Sequence, residues 1–78
     1  MKDIVWDKIM LRELESLASL TEEERIVLHD WAKGKSIVST AMGQHMSERK
    51  VNNLRASIRA KYDKVQQFTP LLPKRIAK

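Results

Sequence analysis

Strong helix breakers are scarce in this sequence. The 78 residues contain two glycines, Gly34 and Gly43, and two prolines, Pro70 and Pro73. Between these positions, apolar residues recur at the three- and four-residue spacing of amphipathic helices. No Asn-Gly or Asp-Gly turn separates alternating stretches, as it would in a β-hairpin. The pattern therefore predicts an all-α fold.

Four helices are predicted from this periodicity and from capping residues. Thr21 and Glu24 have the spacing of a capping box, and Gly34 is suited to end the helix that the box begins. Ser36 and Ser47 are candidate N-caps of the next two helices. The predicted segments are a helix over Asp3–Ala18, one between Thr21 and Gly34, one over Ser36–His45, one from Ser47 to about Gln67, and an extended C-terminal tail.

The first predicted helix has apolar residues on more than half of its circumference. A helix packed on one small core needs a narrower stripe. Either the C-terminal tail covers the second side of this helix, or that side meets another subunit. The candidate dimer surface consists of Val5, Trp6, Ile9 and Met10.

The composition argues against catalysis and cofactor binding. With no cysteine, disulfides, thiolate metal sites and a cysteine nucleophile are excluded. His29 and His45 lie on different predicted helices, and no carboxylate stands near them at ligand spacing, so no metal site is expected. No apolar run approaches the ~20 residues of a membrane-spanning helix. We therefore expect a cytoplasmic, non-enzymatic domain without a cofactor.

The net charge of +5 conceals two unlike halves. Residues 1–34 carry five Lys/Arg and eight Asp/Glu, a net charge of −3, whereas residues 35–78 carry ten Lys/Arg and two Asp/Glu, a net charge of +8. Such asymmetry is typical of a protein with one face for a polyanion, although basic residues can also merely solvate a helix.

The fourth helix gathers much of this positive charge. At 100° per residue its apolar residues form a stripe about 80° wide, and the opposite face carries Arg49, Asn52, Asn53, Ala56 and Ala60. Asparagine can pair with adenine and arginine with guanine in the major groove, while alanine allows close approach and can touch a thymine methyl. Flanking Lys and Arg would meet phosphates. The pattern thus indicates a helix that binds duplex DNA.

The predicted site has two sets of residues. The base-contacting set is Arg49, Asn52, Asn53 and Ala56. The phosphate-contacting set is Lys35, Ser47, Lys50, Arg55, Arg59, Lys61 and Lys64.

A short helix, a tight connection and a long basic helix follow one another as in a helix-turn-helix. The segments that carry a family resemblance are Leu20–Leu28, Gly34–Ser36, Ala41, Met46–Ser47, Val51–Asn53 and Ile58–Tyr62. They resemble the LuxR/GerE-type DNA-binding domain, whose layout is shared by the fourth region of sigma-70 factors and by small sigma-like phage proteins. The resemblance covers residues 20–65.

This resemblance implies a helix-turn-helix with residues 47–61 as recognition helix. Asn52, Asn53 and Ala56 match the family's base-facing positions, and Lys50 and Lys61 match phosphate-facing ones. The sequence departs from the family at three positions that usually hold aliphatic residues, Thr40, Gln44 and Arg55.

Two functional hypotheses follow. In both, residues 1–19 form an N-terminal amphipathic helix, residues 20–67 form the helix-turn-helix domain, and residues 68–78 form a basic, proline-containing tail. The fold predicted in both is a four-helix helix-turn-helix domain that includes this extra N-terminal helix. The first hypothesis is a small sequence-specific transcriptional regulator that binds double-stranded DNA, with pairing into a homodimer through the N-terminal helix. The alternative is a sigma-region-4-like module that docks on RNA polymerase or another transcription protein and makes only non-specific DNA contact.

Overall fold

Four helices account for most of residues 6–73, the part of the chain that the computed structural model describes. They are α1 (Lys8–Leu17), α2 (Glu22–Ala32), α3 (Ile37–Gly43) and α4 (Glu48–Gln66). Residues 6–73 contain no strand, so the all-α prediction is confirmed. None of these four helices has the length and apolar character needed to cross a membrane.

Helix α1 begins later than its periodicity predicts. Asp7 is its N-cap, in an extended conformation, and the Asp7 carboxylate accepts a hydrogen bond of 2.8 Å from the amide of Met10. Trp6 therefore precedes the helix instead of lying within it. The remaining predicted helical residues, Asp3–Val5, lie outside the described residues.

Helix α2 begins and ends as its capping residues predict. The Thr21 hydroxyl accepts from the Glu24 amide at 3.1 Å, and the Glu24 carboxylate accepts from the Thr21 amide at 2.8 Å. At the other end Gly34 has φ +87°, and the amides of Gly34 and Lys35 donate to the carbonyls of Trp31 and Asp30. This is the paired hydrogen bonding of a Schellman motif, which needs a residue that tolerates positive φ.

Helix α3 is shorter than predicted. Ser36 caps it as expected, accepting from the Ser39 amide at 3.1 Å, but the helix ends at Gly43 rather than near His45. His45 has φ +56°, a left-handed conformation that terminates the helix, and the next amide, of Met46, donates back to the Ala41 carbonyl. Glycine or asparagine usually occupies this left-handed position, so the end of α3 at a histidine is not predicted from the sequence.

Helix α4 packs against each of the other three helices and forms the centre of the fold. Its buried apolar side chains are Val51, Ile58 and Tyr62, with Leu54 and Val65 partly buried beside them. This is the stripe that the periodicity predicts. The other buried apolar residues of the core are Met10, Leu14, Val27, Leu28, Trp31, Ala41 and Leu72.

Of the tail predicted to be extended, residues 71–78, the structure describes residues 71–73, and these begin with a turn and a bend. Leu72 is buried in the core, and the Tyr62 hydroxyl donates to the Pro73 carbonyl. Burial of Leu72 and this hydrogen bond bring the chain back onto α4. Residues 74–78 of the predicted tail lie outside the described residues.

Candidate nucleic-acid interface

One face of α4 is open along most of its length. Arg49, Asn52, Asn53, Ala56 and Ala60 are all exposed, and they recur at the three- and four-residue spacing that places side chains on one side of a helix. The carboxylates of α4 are those of Glu48, its first residue, and Asp63, near its end. The open face between them therefore presents guanidinium, carboxamide and methyl groups.

The first border of this face is joined to the start of α2 by ion pairs. Nζ of Lys50 lies 2.6 Å from the carboxylate of Glu23, and Nζ of Lys61 lies 2.6 Å from that of Glu24. Lys61 also donates to the Ser19 carbonyl at 2.6 Å. Two of the predicted phosphate ligands thus already have anionic partners within the protein.

Glu24 is the buried centre of this border. Its side chain accepts hydrogen bonds from Lys61, from the Ser57 hydroxyl and from the Thr21 amide. Burial alone would raise the pKa of Glu24, but the hydrogen bonds from these three groups and the charge of Lys61 outweigh it and lower the pKa to about 2. The carboxylate is therefore charged at neutral pH and holds α2 against α4.

The second border of the face is joined to Trp31. The guanidinium carbon of Arg55 lies 4.6 Å from the centroid of the Trp31 ring, and that of Arg59 lies 5.0 Å from it. Arg55 is only 7% exposed and donates from Nη2 to the Lys35 carbonyl at 2.9 Å. Cation–π stacking and this hydrogen bond fix Arg55 inside the fold.

A polar cluster links the α2–α3 connection to the end of α3. Asp30 is buried, and its carboxylate lies 3.7 Å from Nζ of Lys35 and accepts a 3.4 Å hydrogen bond from the Gln44 amide group. Thr40, in the middle of α3, is completely buried. Gln44 thus contacts Asp30 of α2, and Arg55 contacts Trp31 of α2 and the Lys35 carbonyl.

The predicted phosphate set divides into two groups in the structure. The first group is exposed: Ser47 and Lys64, together with Lys35 and Lys50, which also form ion pairs with Asp30 at 3.7 Å and with Glu23 at 2.6 Å. The Ser47 hydroxyl caps α4 by accepting from the Lys50 amide at 3.0 Å. The second group is held within the protein: Lys61 by its ion pair with Glu24, Arg55 by burial, and Arg59 on the Trp31 ring.

The predicted dimer surface is not one continuous exposed patch. Met10 is buried in the core, and the Trp6 ring is in edge contact with those of Trp31 and Tyr62, with centroids 5.5 Å and 5.7 Å apart. Ile9 alone among the described members is largely exposed, at 60%. Val5 lies outside the described residues. The Met10 side chain is therefore part of the core, and the Trp6 side chain is partly buried against it.

The histidines take up surface positions. Nε2 of His29 is 2.8 Å from the Glu15 carboxylate, which also lies 3.6 Å from Nε of Arg25. Within residues 6–73, no three His, Cys, Asp or Glu side chains cluster closely enough to hold a metal ion.

Two features of the site were not predicted from the sequence. The capping-box spacing of Thr21 and Glu24 predicts a helix start but not the ion pairs of Glu23 and Glu24 with the lysines of α4. The stacking of Trp31 with two arginines is likewise not predicted. The available signal was the charge asymmetry of the two halves, which indicates that acidic and basic segments can pair but not which residues do so.

Comparisons with protein-family models, with curated proteins and with solved structures gave no match for this chain.

Proposed function

We propose that this protein is a small sequence-specific regulator of transcription that binds duplex DNA by inserting α4 into the major groove. The observation that carries the proposal is the exposed face of Arg49, Asn52, Asn53, Ala56 and Ala60. Its chemistry suits base edges, because carboxamides and guanidinium groups can each make two hydrogen bonds to one purine, and the alanines let the helix approach closely.

The arrangement of the last three helices supports this docking mode. Helices α3 and α4 are joined by four residues, 44–47, and both pack on the same core as α2. A helix-turn-helix has the same order, with its second helix in the groove. The caps at Thr21, Gly34 and Ser47 fall at the positions that carry the resemblance to the LuxR/GerE-type domain.

The phosphate contacts in this proposal are assigned from the exposure of each side chain and from its ion pairs within the protein. Lys64 and the Ser47 end of α4 are exposed and can meet the sugar–phosphate backbone directly. Lys35 and Lys50 can do so only in competition with Asp30 and Glu23, because those ion pairs must open first. Arg55 and Lys61 are assigned to the fold and left out of the DNA contacts, since burial and the Glu24 ion pair occupy them.

Selection from a random duplex library tests the proposal. We expect enrichment of a short motif containing adenine and guanine at the positions read by Asn52, Asn53 and Arg49. A palindromic motif with half-sites one helical turn apart would support a homodimer on DNA, and a single copy of the motif would support a monomer. Recovery of unenriched sequences, with no affinity for any duplex at low salt, would contradict the proposal.

A further inference from the structure

An apolar groove lies on the side of the molecule where the C-terminal ends of α1 and α4 meet. Its volume is about 460 Å³. It is lined on one side by Leu17, Ala18 and Ser19, and on the other by Lys61, Lys64, Val65 and Phe68. None of the residues assigned above to base contact lines the groove, and Lys64 is the one lining residue that is also assigned to a phosphate contact.

The groove leaves large apolar side chains in water. Phe68 is 74% exposed and Leu17 is 46% exposed, and both border the same depression. Single exposed apolar residues are common on protein surfaces, but two large ones on opposite walls of a groove form a continuous patch that can bind a partner.

The shape of the groove suits a helix. Lys61, Lys64 and Val65 are spaced i, i+3 and i+4 on the last turns of α4, and Phe68 extends this wall from the turn that follows the helix. Apolar residues at i, i+4 and i+7 of a second helix can pack along such a wall, as in helix-in-groove recognition.

The charge around the groove selects the partner. Its charged lining residues are both lysines, and none of the seven lining residues is acidic. Lys61 is neutralised by Glu24, whereas Lys64 is exposed and has no ion pair among the described residues. The exposed Lys64 therefore favours a partner that carries a carboxylate.

We propose that this groove binds an amphipathic helix of another protein, with apolar residues that contact Leu17, Val65 and Phe68 and a carboxylate that pairs with Lys64. The apolar contacts of this helix involve none of the base-contacting residues of α4. The groove gives the protein a docking site for an acidic partner that shares only Lys64 with the proposed DNA contacts.

The test is a titration of the isotope-labelled protein with a synthetic helical peptide, followed by NMR. The peptide carries leucines at i, i+4 and i+7, with glutamates on both borders of the leucine stripe. We expect shifts concentrated at Leu17, Ala18, Val65 and Phe68. A matched peptide with lysine in place of each glutamate should bind at least about threefold more weakly.

Two variants locate the contact. Phe68→Ser should weaken peptide binding about tenfold, the loss expected when a central apolar anchor is removed. Leu71→Ser is the control, because Leu71 is also exposed, at 49%, but does not line the groove. The affinity of this variant for the peptide should stay within about twofold of that of the unsubstituted protein. Lys64→Glu should reduce affinity for the glutamate peptide and raise it for the lysine peptide.

Three outcomes would overturn the proposal. The first is the absence of shifts at the groove with the glutamate peptide. The second is equal binding of the two peptides, which would refute the acidic partner. The third is a concentration-dependent shift of Phe68 in the protein alone, which would show that a second copy occupies the groove. Circular dichroism of each variant separates loss of binding from loss of fold.

Discussion

Glu24 binds Lys61 with the same carboxylate that caps its own helix. Oε1 of Glu24 lies 2.6 Å from Nζ of Lys61 and 2.8 Å from the Thr21 amide nitrogen, while Oε2 accepts from the Ser57 hydroxyl. One buried charged group therefore satisfies the first turn of α2 and ties it to the middle of α4. The relative position of these two helices depends on that group remaining ionised.

Acid should destabilise the protein through Glu24. Its pKa is about 2 in the folded protein, against an ordinary value of 4.5. A lowered folded-state pKa stabilises the fold at pH values above 4.5, and this contribution disappears as the pH falls from about 4.5 to about 2. It amounts to roughly 3 kcal/mol at neutral pH. Urea unfolding measured across this pH range should show the decline.

Replacement of Glu24 gives the control for this pH dependence. Glu24→Gln should lower the free energy of unfolding at neutral pH by roughly 2–3 kcal/mol, because Lys61 loses its buried partner. It should also reduce the decline of this free energy between about pH 4.5 and about pH 2, the acid limb of the pH profile. Glu22→Gln removes a charge from an exposed residue of the same turn and should change stability by less than about 0.5 kcal/mol. An unchanged acid limb in Glu24→Gln would refute the role given to this residue.

Glu23 should weaken DNA binding by holding Lys50. Glu23→Gln opens the 2.6 Å ion pair and frees Lys50 for a phosphate, so affinity for any duplex should rise roughly two- to fivefold. The slope of log affinity against log salt should become steeper by about 0.9. Glu22→Gln makes the same change in net charge without freeing a lysine, and it should leave the salt slope unchanged. Equal effects of the two variants would show that only net charge matters.

The two glycines should respond to alanine in opposite directions. Gly43 is the last residue of α3, without positive φ, and an added Cβ would meet no atom within 4 Å. Gly43→Ala should therefore stabilise the fold by about 0.5–1 kcal/mol. Gly34 also has open space but has φ +87°, so Gly34→Ala should destabilise it by roughly 1 kcal/mol. Thermal unfolding of both variants checks this, and a shift of the same sign in both would contradict it.

Asn53 and Lys64 should make different contributions to DNA binding. Asn53→Ala should cost about 1–3 kcal/mol on a selected site and little on unrelated duplexes, because a base contact carries sequence preference. Lys64→Ala should weaken all duplexes alike and reduce the salt slope by about 0.9. Fluorescence anisotropy over several salt concentrations separates these effects. A uniform loss on all duplexes in Asn53→Ala would remove Asn53 from the base contacts.

The presence of four helices, the caps at Thr21, Gly34, Ser36 and Ser47, and the open face of α4 could be predicted because each depends on neighbouring residues. Thr21 and Glu24 satisfy each other within one turn, and Gly34 supplies a conformation that few other residues adopt. The exposed and buried faces of α4 follow from the spacing of its own residues. Such local signals do not depend on how the helices pack.

The borders of α4 could not be predicted because they depend on the packing of distant segments. Lys61 meets Glu24 across 37 residues of chain, and Arg55 reaches the Lys35 carbonyl across 20. In the sequence, Arg55 and Lys61 are typical of solvent-facing basic residues. Their partners within the protein become visible only once α2 is packed against α4. Arg55 then contacts Trp31, and Lys61 contacts Glu24 in the first turn of α2. Helical angle alone therefore does not show which of these cations have partners within the protein.

The most direct test of the account is NMR mapping of the isotope-labelled protein bound to a selected duplex. The account predicts amide and side-chain shifts concentrated on the open face, at Arg49, Asn52, Asn53, Ala56 and Ala60, with smaller changes at Lys35 and Lys64. The groove residues Leu17 and Phe68 should be unaffected. An absence of shifts on the open face at low salt, or shifts confined to α1, would contradict it.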